Sequence, residues 1–586
     1  MSKQQPEHLE HLRHSVAHLL AAAVMELWPD TKRTIGPAIE NGFYFDFEFS
    51  SPITEEDLPK IEEKMRELAK SWKGFERHEL SADDAKNEYQ NNQYKHELID
   101  EFSKEGQTLT FYKSGEYWDL CRGGHVDHPD RDLKHFKLLS LAGAYWRGNE
   151  KNTMLTRIYG TAWPSKEELD QYLVQLEEAK ARDHKKLGKE LELFTFSETV
   201  GKGLPLWTPK GATIRRELER FIVDEELRRG YLHVYTPDIA RLELYKKSGH
   251  YPYYKDSMYA PIQIEDEEFM LRPMTCPHHF ELYSDRPHSY KELPMRFAEL
   301  AKLYRFEQSG ELSGLQRVRS FCLADAHIIA RKEQAEQEIN GVLDLIEYIS
   351  TVFGLEAGKN YHYRLSLGDR SDETKYFKDD ASWDFAEDTL RKVLKDRGSN
   401  FVEAPQEAAF YGPKIDIQMK NVNGKEDTAF TVQYDFVMPK RFGLTFINEQ
   451  SEAEQPVVIH RSSIGAIERV MAFLIEHYAG AFPTWLSPVQ VVLVPISGEQ
   501  NEYAQKVADQ LKDAGVRVEV SAENESMQNR IRKAAGEKVP YIAVIGKREV
   551  EGNLIAVRQR GNKDLGAMSV EEFEKKIVKE IKEKSL

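Results

Sequence analysis

Two histidines four residues apart, His14-x-x-x-His18, share one face of any helix that includes them, and Cys121-x-x-x-His125 offers a second pair downstream. Imidazole and thiolate are ligands of borderline metals such as zinc, and four of them suit one site. Taken alone, either pair reads as structural before functional. With Asp119 and the flexible Gly123-Gly124 beside Cys121, a functional pocket becomes at least as good a reading. A second constellation lies near mid-chain, where Arg305-Phe-Glu307 precedes Gln316-Arg-Val-Arg-Ser-Phe321 and Asp325-Ala-His327. An arginine following a strand can clamp a phosphate through two parallel hydrogen bonds, and a nearby phenylalanine can stack on a purine. An isolated Arg-x-Glu carries little weight; the spaced set makes the match specific.

The elements that must position these residues follow from periodicity. Over residues 13–28, Val16, Leu19, Leu20, Ala23, Val24 and Leu27 keep a helical period, so His14 and His18 ride on a helix buried on one side. A mixed α/β stretch follows, with a strand over 42–49, and runs to Pro164. Ser165 and Glu168 form a capping box, and Leu169, Tyr172, Leu173 and Leu176 continue a stripe that predicts one charged connecting helix over 165–193. Residues 194–484 mix helices with strand-like runs such as 429–436 and form the largest domain. In 485–586, strands at 489–496, 516–520 and 541–546 alternate with helices at 502–514 and 528–535, a small α/β module with a mostly parallel sheet.

A chain of 586 residues exceeds what one core organises. At 40% hydrophobic and 31% charged it has the composition of a globular protein. No apolar run approaches the roughly 20 residues of a membrane helix, and the polar, acidic start is unlike a signal peptide. Three scattered cysteines make no disulfide framework. A cytoplasmic protein with no membrane partner is expected. The net charge of −17 counts against a uniformly basic nucleic-acid surface. Local basic stretches at 182–189 and 530–538 could still meet phosphates, although each reads first as a solvated helix face.

On these residues the chain resembles the threonyl-tRNA synthetase family. Residues 305–327 look like class II motif 2, and Gly465-Ala-Ile-Glu468-Arg469 looks like motif 3. Tyr235-Thr-Pro237 leading to Lys247-Ser-Gly-His250 fits the looser motif 1, which forms the dimer interface of the class. The resemblance implies an α/β multidomain chain: an N-terminal α+β editing domain over 1–164, a linker, a class II antiparallel sheet core and a C-terminal α/β anticodon-binding domain. It implies that Arg305 meets the ATP α-phosphate and the amino-acid carboxylate, Glu307 reads the adenine amino group, and Phe321 stacks on the base. Arg317 and Arg469 complete the ATP site, Lys414 joins Arg305 and Arg469 in catalysis, and Mg2+ accompanies ATP. Resemblance alone pairs Cys276, His327 and His460 as zinc ligands, with Asp325 and Tyr411 as threonine contacts.

The physics of selection fits such an arrangement. Valine is nearly isosteric with threonine, and shape alone separates such a pair by about 100-fold, so the hydroxyl must be read chemically. Serine lacks one methyl, worth roughly 1–3 kcal/mol, so a second, hydrolytic site is needed. By resemblance, His14, His18, Cys121 and His125, with Lys95 and Asp119, clear serine from tRNA(Thr). In the C-terminal module Asn524, Arg532, Glu549 and Arg558 align with anticodon-base contacts. The chain departs from the family pattern at Thr275, Ala466, Thr428, Gly124 and Glu523. The alternative is a non-catalytic paralogue that senses threonine or binds RNA. The family's N-terminal ubiquitin-like domain is expected to be absent.

Overall fold

The computed structural model describes residues 4–422, 424–521 and 524–586. They form two compact units, 1–177 and 178–586.

In the first unit, helix α1 (Gln4–Leu27) packs against helix Leu58–Ala69 and against a five-stranded antiparallel sheet whose centre is Gly42–Glu48 and Met154–Ala162. Burial is not confined to one side of α1: Ala17, Ala21 and Ala22 are buried along with Val16, Leu19, Leu20, Ala23 and Val24 of the predicted stripe, whose last member, Leu27, is half-buried. Their small side chains let neighbours close on several faces of the helix. A separate three-stranded sheet ends with Tyr117–Leu120, which delivers Asp119 and, one residue past its end, Cys121. The predicted capping box forms, Ser165 Oγ accepting from the Glu168 amide at 3.2 Å and the Glu168 carboxylate accepting from the Ser165 amide at 3.2 Å.

The single connecting helix of the sequence reading is two. Helix α2 (Lys166–Arg182) stops at Asp183, whose side chain caps helix α3 (His184–Glu190) by accepting from the Lys185 and Lys186 amides at 2.8 and 3.1 Å. A capping aspartate competes with helix continuation, a signal that charge patterning alone misses.

The second unit is built on an eight-stranded sheet. Its central strands β1 (Met295–Tyr304), β2 (Ser320–Ala330), β3 (Lys414–Lys420), β4 (Glu426–Asp435) and β5 (Val457–Ala466) run antiparallel in the order β1-β2-β5-β4-β3. Helix α4 (Cys276–Tyr283) packs near β2, and helix α5 (Ile467–His477) continues from β5 and buries Met471, Leu474 and Ile475 in the main core. The C-terminal five-stranded sheet is parallel through 518–520, 491–495 and 541–545. It turns antiparallel at Leu554–Gln559 and Lys563–Ser569, so the mostly parallel expectation holds for its first three strands only. The last two strands are joined by a short turn, which requires antiparallel pairing.

Candidate functional site

Antiparallel register makes the central site. His327 of β2 lies directly across from His460 of β5, which places both imidazoles on one face, with ring centroids 4.6 Å apart. Cys276, at the first position of α4, completes the group: one donor atom from each of Cys276, His327 and His460 lies within 4.8 Å of the others, and all three are buried. Burial pushes the Cys276 thiol well up and the His327 imidazole well down, so the histidine is neutral as a ligand must be.

The hydrogen bonds behind the histidines fix which nitrogen faces the group. Asp435 Oδ2 lies 2.7 Å from His460 Nε2, and Asp435 Oδ1 already accepts from the Val437 and Met438 amides. His460 therefore donates through Nε2 and keeps the Nδ1 lone pair free. Glu299 sits between Arg272 (2.9 Å) and His279 Nε2 (3.2 Å); burial, which opposes its ionisation, is outweighed by His279, Thr236 and Arg272, and the carboxyl is held at about 2. His279 accordingly donates to Glu299 and accepts at Nδ1, from His327 Nδ1 at 2.8 Å. His327 is left with Nε2 as its free lone pair. Two imidazole lone pairs, oriented by buried carboxylates, and one thiol form a donor set that fits zinc with an open coordination position. Asp435, Glu299, Arg272 and His279 escaped the sequence reading. Only His279 carried a signal, three residues after Cys276 on the same helical face.

Around this group lies a cavity of about 560 Å³. Asp325, two residues before His327 and on the same face of β2, accepts a hydrogen bond from Thr275. Burial raises its carboxyl pKa, and Thr275 works against that rise. Tyr411 stacks on His460 at 5.0 Å and donates to Gln433 at 2.5 Å. Further along the cavity the Arg305 guanidinium stands 5.2 Å from the Phe321 ring centroid, so a cation and an aromatic face line the same end. Glu307 is ion-paired with Arg317 at 2.8 Å. Arg469, at the start of α5, donates to the Gln316 and Thr428 carbonyls at 3.3 and 3.1 Å. Ala466 and Thr428, two of the departures noted above, line this end. Lys414 differs from expectation. Its ammonium pairs with buried Asp416 at 2.9 Å, and it is not among the residues lining the cavity.

In the first unit, donor atoms of His14, His18, Cys121 and His125 also lie within 4.8 Å of one another. Cys121 Sγ is 3.3 Å from His14 Nε2 and 3.3 Å from His125 Nε2. Ser15 Oγ donates to the His11 carbonyl, so it accepts from His125 Nδ1 at 3.2 Å, and His125 turns an unprotonated Nε2 to the thiol. Burial pushes His125 down to about 3, His18 well down and the Cys121 thiol up to about 12. Beside them Asp119 is caged by Lys95 at 2.8 Å, Arg33 at 3.3 Å, Tyr89 at 2.5 Å and Tyr117 at 3.0 Å. Burial opposes ionisation of Asp119, but Lys95 and Arg33 hold its carboxyl below the usual range. Arg33, Tyr89 and Tyr117 had no sequence signal, because only folding brings them to Asp119. Gly124 has φ +81°, which proline cannot adopt, so this loop takes a backbone path that suits glycine.

In the C-terminal module Asn524, Arg532 and Arg558 are exposed and Glu549 half-buried, Glu549 accepting from the Gly546 amide at 2.8 Å. They sit on a loop, helix Met527–Gly536, strand Leu554–Gln559 and helix Lys547–Gly552. Glu523 lies outside the described residues.

Comparison with known proteins agrees with this anatomy. The tRNA synthetase class II core domain (G, H, P, S and T) matches residues 259–478, the anticodon binding domain 490–580, and the threonyl and alanyl tRNA synthetase second additional domain 109–159. A threonine–tRNA ligase of Geobacillus sp. (strain WCH70) is 49% identical over 98% of this chain and 89% of its own length. One from Streptococcus thermophilus (strain ATCC BAA-491 / LMD-9) is 50% identical over 99% and 90%. Among solved structures, the RNA binding domain of threonyl-tRNA synthetase from Cryptosporidium parvum Iowa II superposes with a TM-score of 0.64 at 33% identity, covering 68% of this chain and 98% of that one. A prolyl-tRNA synthetase from Cryptosporidium parvum, at 16% identity and TM-score 0.52 over 68% of this chain and 75% of its own, shares the fold. Full-length identity near one half, over a core and an additional domain that both match, means that the chain belongs to the threonyl-tRNA synthetase family of class II aminoacyl-tRNA synthetases.

Proposed function

We propose that this chain is a threonine–tRNA ligase that activates L-threonine with ATP and transfers it to the 3′ end of tRNA(Thr), and that its first unit hydrolyses seryl-tRNA(Thr). The observation that carries the reading is the His327–His460 pair with Cys276 at one end of a cavity whose other end presents Arg305, Phe321 and Arg469. Amino acid and nucleotide can therefore meet in one enclosure.

In this reading Cys276, His327 Nε2 and His460 Nδ1 would hold zinc, which would supply a Lewis acid for reading the threonine amine and hydroxyl. Asp325 accepts the hydroxyl proton's hydrogen bond, and Tyr411 borders the same end of the cavity. Arg305 orients the threonine carboxylate and the α-phosphate, so that the carboxylate oxygen attacks phosphorus and the bond to the leaving pyrophosphate breaks; Mg2+ would accompany ATP and offset its phosphate charge. Phe321 and Glu307 take the base once Arg317 moves from Glu307 to phosphate. Valine offers no hydroxyl and leaves Asp325 without its intended partner, the kind of mismatch that discriminates strongly. Serine satisfies the same contacts, which is why the His14, His18, Cys121 and His125 pocket is required, with Lys95 held by Asp119 beside it.

Exposed Leu227, Leu232 and Tyr235, the last 91% exposed, support a homodimer through the motif 1 face. Anticodon contacts would come from Asn524, Arg532, Glu549 and Arg558. No helix among the described residues is long and apolar enough to cross a membrane, and we place the protein in the cytoplasm. Pyrophosphate exchange with threonine, serine and valine side by side tests the reading: threonine and serine should support exchange and valine should not. Equal exchange with valine would refute selection through the hydroxyl.

A further inference from the structure

The basic stretch 182–189 reads in sequence as a solvated helix face or an RNA-facing patch; Arg182, Lys185, Lys186 and Lys189 are exposed, but the helix has a second, buried side. Within α3, His184, Leu187 and Gly188 are buried. His184 makes two side-chain hydrogen bonds to segments far away in sequence. Its Nδ1 lies 2.7 Å from Glu476 Oε1 near the end of α5, and its Nε2 lies 3.1 Å from the Leu315 amide. An amide can only donate, so Nε2 is the unprotonated nitrogen and Nδ1 carries the hydrogen given to Glu476. The imidazole is thus fixed in one tautomer and one orientation.

Leu315 sits in the 305–319 loop between β1 and β2, where Glu307, Gln316 and Arg317 stand. The base of this loop is secured by backbone, the Arg319 amide to the Gly203 carbonyl at 2.7 Å and the Arg305 amide to the Arg319 carbonyl at 3.1 Å. Its tip is a tight turn in which the Gln316 and Arg317 amides donate to the Ser313 carbonyl at 2.9 and 3.2 Å. The turn rests against His184 so closely that a Cβ on Gly314 would come within 2.1 Å of Nε2. Beside it, the Gln316 carbonyl accepts from Arg469 at 3.3 Å. Helix α5 therefore braces the loop twice: at its start through Arg469, and at its end through Glu476 and His184.

We propose that His184 is a positioning residue for nucleotide binding: with Glu476 it holds the Leu315 amide, and so sets the turn that presents Arg317 and the Gln316–Arg469 contact to ATP. The inference rests on the reading of the 305–319 loop as the nucleotide loop. Threonine is held at the other end of the cavity, so its binding should not depend on His184. An imidazole without this role would fill space only, and phenylalanine would replace it.

The test uses the full-length protein and three forms: wild type, His184→Phe, and His184→Gln, whose Oε1 can accept from Leu315 where Nε2 does. ATP affinity is measured by equilibrium dialysis, KM for ATP and threonine by pyrophosphate exchange, and Leu315 protection by hydrogen exchange of the peptide that contains it. In His184→Phe, ATP binding should weaken about tenfold, as for loss of a hydrogen bond to a buried donor, with threonine KM unchanged and Leu315 exchange faster. His184→Gln should restore most of both. Unchanged Leu315 exchange, equal changes in both KM values, or a glutamine variant no better than phenylalanine would overturn the proposal. A wild type that binds ATP but performs no threonine-dependent exchange would overturn the ligase reading instead, leaving dialysis and exchange to decide on His184.

Discussion

Asp435→Asn isolates the role of orientation at the Cys276, His327 and His460 group. Asp435 Oδ1 accepts two backbone hydrogen bonds, from Val437 at 2.8 Å and Met438 at 2.9 Å, and asparagine will keep its carbonyl oxygen there. That puts its NH2 where Oδ2 met His460 Nε2 at 2.7 Å. Two donors cannot share that contact, so His460 must shift its proton to Nδ1, the nitrogen that faces Cys276 and His327. Volume and packing are conserved while the lone pair is taken from the donor set. Loss of an orienting partner of this kind weakens metal binding by about 10–100-fold, or about 1.4–2.8 kcal/mol. The assay is zinc affinity by competition with a chromophoric chelator, alongside threonine- and valine-dependent exchange. Zinc affinity should fall within that range, and threonine KM should rise in proportion at limiting zinc. An asparagine variant with wild-type zinc affinity would refute the tautomer assignment and the role given to Asp435.

Gly124→Pro should destabilise the first unit, because φ +81° is closed to proline; a loss of about 1–3 kcal/mol in urea unfolding is expected, with slower seryl-tRNA deacylation and intact threonine activation. A stable, fully editing variant would show that the loop path is not fixed by Gly124. Acid should also act on this unit. Burial depresses His14, His18 and His125 in the folded state, His125 from 6.5 to about 3, so the unfolded chain binds more protons and stability falls as pH drops from about 6.5 toward 3. Each such histidine contributes up to about 1.4 kcal/mol per pH unit, and His18→Gln should flatten the slope between pH 6.5 and 5 measured by urea midpoints. An unchanged slope would remove the histidine cluster as its cause.

Local chemistry was legible in the sequence wherever a short segment contains its own explanation. The helical period of residues 13–28 placed His14 and His18 on one helix, and the Ser165 and Glu168 capping box forms as expected. Resemblance to the family's motifs assigned Arg305, Phe321 and Arg469 to one nucleotide site, and all three line one cavity. Segment ends were harder: Asp183 divides the connecting helix because a side-chain cap competes with continuation. Lys414, assigned by resemblance to catalysis, is held by Asp416, two residues along the same strand.

Residue types and their order thus determined the family, the donor types and, among the elements that bear them, the helix of His14 and His18. Which nitrogen of His327 and His460 is free, and what holds Asp119 and the Leu315 turn, was decided only by tertiary structure. Those answers depend on Glu299, His279, Asp435, Arg33 and His184, most of them dozens of residues or more from the groups they orient. A hydrogen bond fixes a proton's place through distance and direction, and neither exists in a sequence until the sheet register and helix packing bring the partners together.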